Sequence, residues 1–184
     1  MDFVTKYKKD LVTALNLIDN NSLNSVIEMV LKIKLENKKV FLIGNGGSSA
    51  TPSHSAGDWS KELGIKALCL SDNTPALTAF ANDTDYSNIF KGQLEVFLEE
   101  KDLVIGYSGS GNSPNVINAI EYANSKGVNT IGITGNYKNG QGGKLAEKAN
   151  ISIVFDTISM EIIEDLQMVV NHIIKESIKL EIFD

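Results

Sequence analysis

The sequence predicts an α/β fold, a three-layer sandwich of helices around a five-stranded, mostly parallel sheet, in a single domain spanning residues 1–184. Short continuous apolar runs recur along the chain, and segments with helical spacing of apolar residues lie between them. The length fits as well. A chain of 184 residues, 42% hydrophobic and 22% charged, can bury one core and is too short for two ordinary domains.

Residues 3–37 read as helix. Phe3, Tyr7, Leu11 and Leu15 recur at four-residue spacing, and Val26, Met29, Val30 and Ile33 form a second apolar stripe. The cluster Asp19-Asn20-Asn21-Ser22 divides this stretch into two helices, with Asn or Ser expected to cap the second. Two such helices can cover a sheet or pack against another subunit. From residue 38 the period changes. Residues 40–43, 67–70, 103–107, 130–133 and 151–155 are apolar runs of the kind that form strands buried on both faces. Helices are expected at 49–63, 75–81, 89–98, 114–125, 144–148 and 160–183, with a flexible loop at 138–143. Alternating strand and helix means a parallel sheet with helices on both faces.

Lys plus Arg number 17 and Asp plus Glu 23, a net charge of -6. An acidic chain without a clustered basic run argues against a nucleic-acid or acidic-membrane partner. A small anion is still compatible, because local dipoles can hold it. Cys69 is the only cysteine, which excludes an intrachain disulfide and fits a reducing compartment. Within Ala67-Leu68-Cys69-Leu70 it reads as a core residue and not as a reactive thiol. The N-terminus lacks the apolar stretch of a signal peptide, and no segment approaches the roughly 18 apolar residues of a membrane span. A cytoplasmic protein is expected.

Ligands of open α/β sheets bind beyond the carboxyl ends of the strands. Gly44-Asn45-Gly46-Gly47-Ser48-Ser49 follows the first strand and opens a helix, so its backbone can approach an anion closely. Ser108-Gly109-Ser110-Gly111-Asn112-Ser113-Pro114 repeats the arrangement after the third strand, with three hydroxyls and a proline suited to a first helical turn. The first of these loops matches neither the dinucleotide nor the P-loop pattern. His54 and Asp58, four apart on the helix after the first loop, share one face. His172 interrupts the apolar run of the last helix and is expected not to be fully exposed.

GNGGS followed by SGSGNSPN, in a chain of this length and layout, resembles the phosphoheptose isomerases of the SIS (sugar isomerase) fold over about residues 38–178. The resemblance implies that Ser108, Gly109, Ser110 and Ser113 hold a substrate phosphate, with Asn45, Gly46, Gly47 and Ser48 in the companion loop. Residues 78–83 are similar to the family's LTAxAND segment, which implies that Asn82 and Asp83 face the substrate. His54 and Asp58 match a His and a Glu of the family, and Glu164 and His172 match a Gln and a His eight residues apart. Asp58 is thus a methylene shorter than the family residue. Together His54, Asp58, Glu164 and His172 make a plausible zinc set of nitrogen and oxygen ligands, one zinc per site and no nucleotide cofactor. Eight helical residues separate Glu164 from His172 by roughly 12 Å of rise, a strain that contribution from two subunits would relieve.

The implied activity is aldose–ketose isomerisation of a phosphorylated sugar, sedoheptulose 7-phosphate to D-glycero-D-manno-heptose 7-phosphate, serving heptose supply for surface polysaccharide. Proton transfer between adjacent carbons needs a base, an acid and a grip on the phosphate. Asp58 is read as the base and His172 as the group that protonates oxygen. A bound metal would polarise the carbonyl. The resemblance also implies a homotetramer with active sites between subunits. Two alternatives stand beside this reading: an isomerase of another phosphorylated sugar, and a non-catalytic module that binds a sugar phosphate.

Overall fold

The structure, a computed structural model, describes residues 1–183. Helices α1 (Phe3–Asn16) and α2 (Asn20–Leu35) precede the sheet. Asp19 caps α2, accepting from the Ser22 amide at 2.9 Å, in place of the Asn or Ser expected. The reason is local: Asp19 is the last extended residue, and Asn20–Ser22 are already helical. Then follow β1 (Lys39–Gly44), α3 (Gly47–Leu63), β2 (Lys66–Cys69), α4 (Thr74–Asp83), α5 (Lys91–Phe97) and β3 (Leu103–Ser108). The chain ends with α6 (Pro114–Ser125), β4 (Asn129–Gly135), α7 (Gly143–Lys148), β5 (Ile151–Phe155) and α8 (Met160–Phe183).

All five strands are parallel, in the order β2-β1-β3-β4-β5. Side chains alternate across the sheet as strand geometry requires. Val40 and Leu42 join Trp59, Leu63, Val170 and Ile174 under α2, α3 and α8. Phe41 and Ile43 point the other way, to Leu94, Val116, Ile120 and Leu145 under α5, α6 and α7. Gly106 and Gly132 are neighbours in register, and a Cβ on Gly106 would come within 2.9 Å of Val116 Cγ1. The missing side chain lets α6 lie close on the sheet.

The edge strands depart from the sequence reading. On β2 burial alternates and Leu68 is 47% exposed, and on β5 Val154 is 37% exposed. An edge strand needs only one covered face, so an apolar run there does not imply two. The helix expected at 89–98 is shortened to α5, preceded by a 3₁₀ turn at Tyr86–Asn88. The one expected at 75–81 runs on to Asp83 as α4, and Asn73 caps it by accepting from the Ala76 amide. The start of α7, just after the loop at 138–143, is tied to the serine-rich loop: the Leu145 amide donates to the Gly111 carbonyl at 2.9 Å, and the Lys144 amide to Asn112 Oδ1. Among the described residues, no helix is long and apolar enough to cross a membrane.

Cys69 lies buried on β2, and burial pushes its thiol up to about 11 from 9.0. Two pKa units correspond to about a hundredfold less thiolate, the reactive form. Native protein at pH 8 is therefore expected to react with iodoacetamide at least ~100-fold more slowly than urea-unfolded protein. Equal rates would place the thiol in contact with solvent.

Candidate active site

The site follows from the strand order. β1 and β3 are adjacent, yet the helices after them leave to opposite faces: α3 packs with α2 and α8, and α6 with α5 and α7. A crevice must open where two neighbouring connections diverge, beyond the carboxyl ends of the strands. Here it is a cavity of about 240 Å3 lined by Asn45, Gly46, Gly47 and Ser48 from one loop, and Ser108, Gly109, Ser110 and Ser113 from the other. Tyr107, Met160 and Glu164 complete it. Larger concavities of about 520 and 610 Å3 lie against α6–α7 and the β2 edge, but they lack these converging loops.

The donors are hydroxyls and amides, with no lysine or arginine in the lining. Helices α1, α2 and α4 are closed by Asp2, Asp19 and Asn73, whose side chains accept from first-turn amides. At α3 and α6 the capping positions are Gly46 and Ser113, and neither makes a side-chain cap. Ser113 Oγ instead pairs with Ser108 Oγ at 3.0 Å. The first-turn amides of Gly47 and Ser48 at α3 thus line the cavity without a side-chain cap, which favours an anion there. At α6 Pro114 carries no N–H and the Val116 amide donates to Asn115 Oδ1 at 3.0 Å, which leaves the Asn115 amide without a cap. Ser110 Oγ accepts from the Asn112 amide at 3.2 Å, which shapes the second loop.

Asn45 and Asn115 join the two loops by a reciprocal amide pair, both bonds 2.8 Å, and the Tyr86 hydroxyl donates to Asn45 Oδ1 at 3.1 Å. Asn115 is 1% exposed. Although it follows Pro114 in the serine-rich stretch, its role as a brace depends on a partner 70 residues away and is not readable locally.

The structure brings His54, Asp58 and His172 together. His54 Nε2 lies 3.4 Å from His172 Nε2 and 3.4 Å from Asp58 Oδ2. One ligand atom of each residue lies within 4.8 Å of the others, so the group could hold a metal ion. All three belong to one chain, on α3 and α8, so Asp58 and His172 meet without a subunit boundary between them. His172 is among the exposed residues of α8, because the buried stripe runs through Leu166, Val170, Ile174 and Ile178 and position 172 lies about 200° round the helix from Val170. Burial raises the Asp58 carboxyl, but the hydrogen bond from Lys175 and the charges of Lys175, His54 and His172 outweigh that and leave it below the usual range.

Glu164 is not brought to this group. Two helical turns nearer the N-terminus of α8, its carboxylate packs against Gly47, where a Cβ would come within 2.2 Å of Oε2. Burial, and then the neighbouring Glu161 and Asp165, push its carboxyl up. Asn82 and Asp83 are not in the cavity lining either; they are exposed at the end of α4 and bond to each other at 2.8 Å.

Residues 5–135 match the family described as the SIS domain. The chain belongs to the SIS-domain family. Relatives include a phosphoheptose isomerase of Sulfurimonas denitrificans, 36% identical over 96% of this chain and 93% of that protein. A probable phosphoheptose isomerase of Thermoplasma volcanium is 36% identical over 85% of this chain and 81% of its own. The solved phosphoheptose isomerase of Neisseria gonorrhoeae superposes with a TM-score of 0.89 at 26% identity, covering 95% of this chain and 96% of that one. The Vibrio vulnificus NanR protein complexed with ManNAc-6P superposes at 0.70, covering 98% of this chain and 63% of its own, and at 18% identity shows the fold alone.

In this SIS domain the turn out of β1 requires glycine. A Cβ on Gly44 would lie 2.0 Å from the Ser48 carbonyl oxygen and 3.2 Å from Tyr107 Cβ. The nearer atom is backbone and cannot rotate away. Gly44→Ala is expected to destabilise the domain by about 1–3 kcal/mol, read as a lower urea midpoint. A wild-type midpoint would mean that the loop relaxes without cost.

Proposed function

We propose that this SIS domain is an aldose–ketose isomerase acting on sedoheptulose 7-phosphate, with D-glycero-D-manno-heptose 7-phosphate as the product and an enediol(ate) between them. The observation that carries the reading is the cavity at the β1–β3 divergence, rich in hydroxyls and uncapped amides, in a chain whose relatives are named phosphoheptose isomerases. Ser108, Ser110 and Ser113, with the amides around Gly46, Gly47, Ser48 and Gly109, hold the phosphate. His54 lies seven residues into α3 from Gly47, roughly 10 Å of rise from the loop. That distance suits a long sugar anchored at one end and reacting at the other.

Asp58 takes the proton from the carbon beside the carbonyl, and His172 gives one to the carbonyl oxygen. Asp58 returns its proton to the neighbouring carbon as the enediol collapses, and His172 recovers a proton from the hydroxyl that becomes the new carbonyl. The depressed pKa of Asp58 keeps it ionised and able to act. His54, Asp58 and His172 are suited to hold one zinc ion, which when bound would polarise the substrate carbonyl. Within one chain Glu164 serves the cavity, and it could complete the zinc set only from a second chain.

A homotetramer is part of the proposal. α1 buries only Ala14, and leaves Phe3, Val4 and Val12 more than half exposed. Such a patch on a water-exposed helix suits an interface. The rival reading, a non-catalytic sugar-phosphate module, shares the phosphate cavity but has no use for the His54–Asp58–His172 group.

Turnover of sedoheptulose 7-phosphate by the purified protein tests the proposal; binding without conversion would leave the module reading instead. Ser110→Ala is expected to weaken inhibition by inorganic phosphate by on the order of 10-fold or more, from loss of a hydrogen bond to a charged group worth about 1.5–3 kcal/mol. Unchanged inhibition would remove Ser110 from the grip. His172→Gln keeps size and polarity but cannot cycle a proton near neutral pH, and should lower turnover about 10²-fold or more with phosphate inhibition intact.

A further inference from the structure

Lys175 stands three residues beyond His172 on α8, and its side chain is only 12% exposed. Its Nζ lies 3.2 Å from Asp58 Oδ2, the same oxygen that faces His54 Nε2 at 3.4 Å. The ammonium also touches Glu62 Oε1 at 3.3 Å and Glu176 Oε1 at 3.3 Å, and Lys179 holds the other Glu62 oxygen at 3.1 Å. The carboxylate that His54 and His172 would share with a divalent cation therefore already has a cation on it. A second positive charge entering at that oxygen meets direct repulsion, stronger for groups withdrawn from water than for exposed ones. Glu62 and Glu176 give the ammonium two other acceptors when Asp58 turns away.

Resting on the metal-holding reading of His54, Asp58 and His172, we infer that Lys175 is a resident cation that competes with a divalent metal for Asp58 and sets the metal affinity of the group. The ammonium keeps its contacts with Glu62 and Glu176 when Asp58 turns from it towards a metal, so the cost of metal binding is the loss of the Lys175–Asp58 contact. The lysine is a positioning residue: it acts on the site through Asp58 and has no contact with either histidine's ring in its bonding pattern.

The test is zinc affinity of the full chain, stripped with a chelator and titrated against a chromophoric competitor, with the visible band of Co2+ as a second readout. Lys175→Met and Lys175→Gln are expected to bind zinc at least ~10-fold tighter than wild type, a difference of about 1.4 kcal/mol. Lys175→Gln retains a hydrogen-bond donor and guards against poor folding of the methionine variant. Lys175→Arg, which keeps the charge, should stay within a few-fold of wild type. Lys179→Met also removes an α3–α8 ion pair but does not touch Asp58, so it should lower the melting temperature without tightening zinc. Unchanged or weaker zinc binding in both Lys175→Met and Lys175→Gln overturns the inference and leaves the lysine as a tie between helices. If the wild type and every variant bind no zinc, yet the wild type isomerises the sugar phosphate, the metal reading falls and this inference with it.

Discussion

Everything at the site depends on the pairing of β1 with β3. Their register, Val40 with Leu103 through Gly44 with Tyr107, brings two strand ends level although the first pair is 63 positions apart in sequence. Because the sheet is covered on both faces, the helix after each strand must choose a face, and α3 and α6 choose differently. The cavity is the space left by that divergence. Pairing is anchored at the other end by Asp102, fully buried, which accepts from the Lys39 amide at 2.9 Å and from the Glu99 amide at 2.9 Å, and faces the Lys39 ammonium at 3.4 Å. A single carboxylate thus ties the start of β1 to the turn before β3.

The absence of lysine and arginine from the cavity lining is compatible with anion binding because the donors are fixed. Amides at two helix starts are held in place by the helices behind them, and Asn45 and Asn115 lock the loops together. Little reorganisation is left to perform when an anion enters, and no long side chain has to be immobilised. The tension in the design is Glu164, an acid within the same wall. Burial, and then its acidic neighbours Glu161 and Asp165, push its carboxyl up.

The central strands were legible because burial on both faces writes itself as an unbroken apolar run: Val40 through Ile43 and Leu103 through Tyr107 could hardly be anything else in this alternating context. Leu68 shows the limit, since an edge strand can carry an apolar residue on its open face and look the same. His172 shows another. The apolar residues that flank it bear on how exposed it is and not on where it points, and the helix turns 172 away from the stripe shared by Val170 and Ile174. The two loops were readable as a pair; the features that join them were not. Asn115, Lys175 and the position of Glu164 matter through partners on other elements, and their local sequence carries only ordinary helical polarity. One pattern was available. Asp58 and Glu62 on α3 have the same four-residue spacing as Lys175 and Lys179 on α8, which is what two packed helices with complementary charges would show.

Helix α3 runs from Gly47 to Leu63 with Pro52 inside it, and both the glycine-rich loop and the His54–Asp58 face are attached to it. It works as a ruler. The distance between the two ends of a ligand is counted in residues along this helix, and the direction in which the far end points is counted in degrees around it. Adding one residue between Ser48 and His54 would lengthen the measure by only about 1.5 Å but swing His54 about 100° round the axis, off the face it shares with α8. Only insertions near a whole number of turns would preserve both distance and aim. If a sugar phosphate spans the two as proposed, the length of sugar that this scaffold accepts changes in coarse steps, and finer adjustment has to come from side chains such as Asp58, where one methylene is the unit.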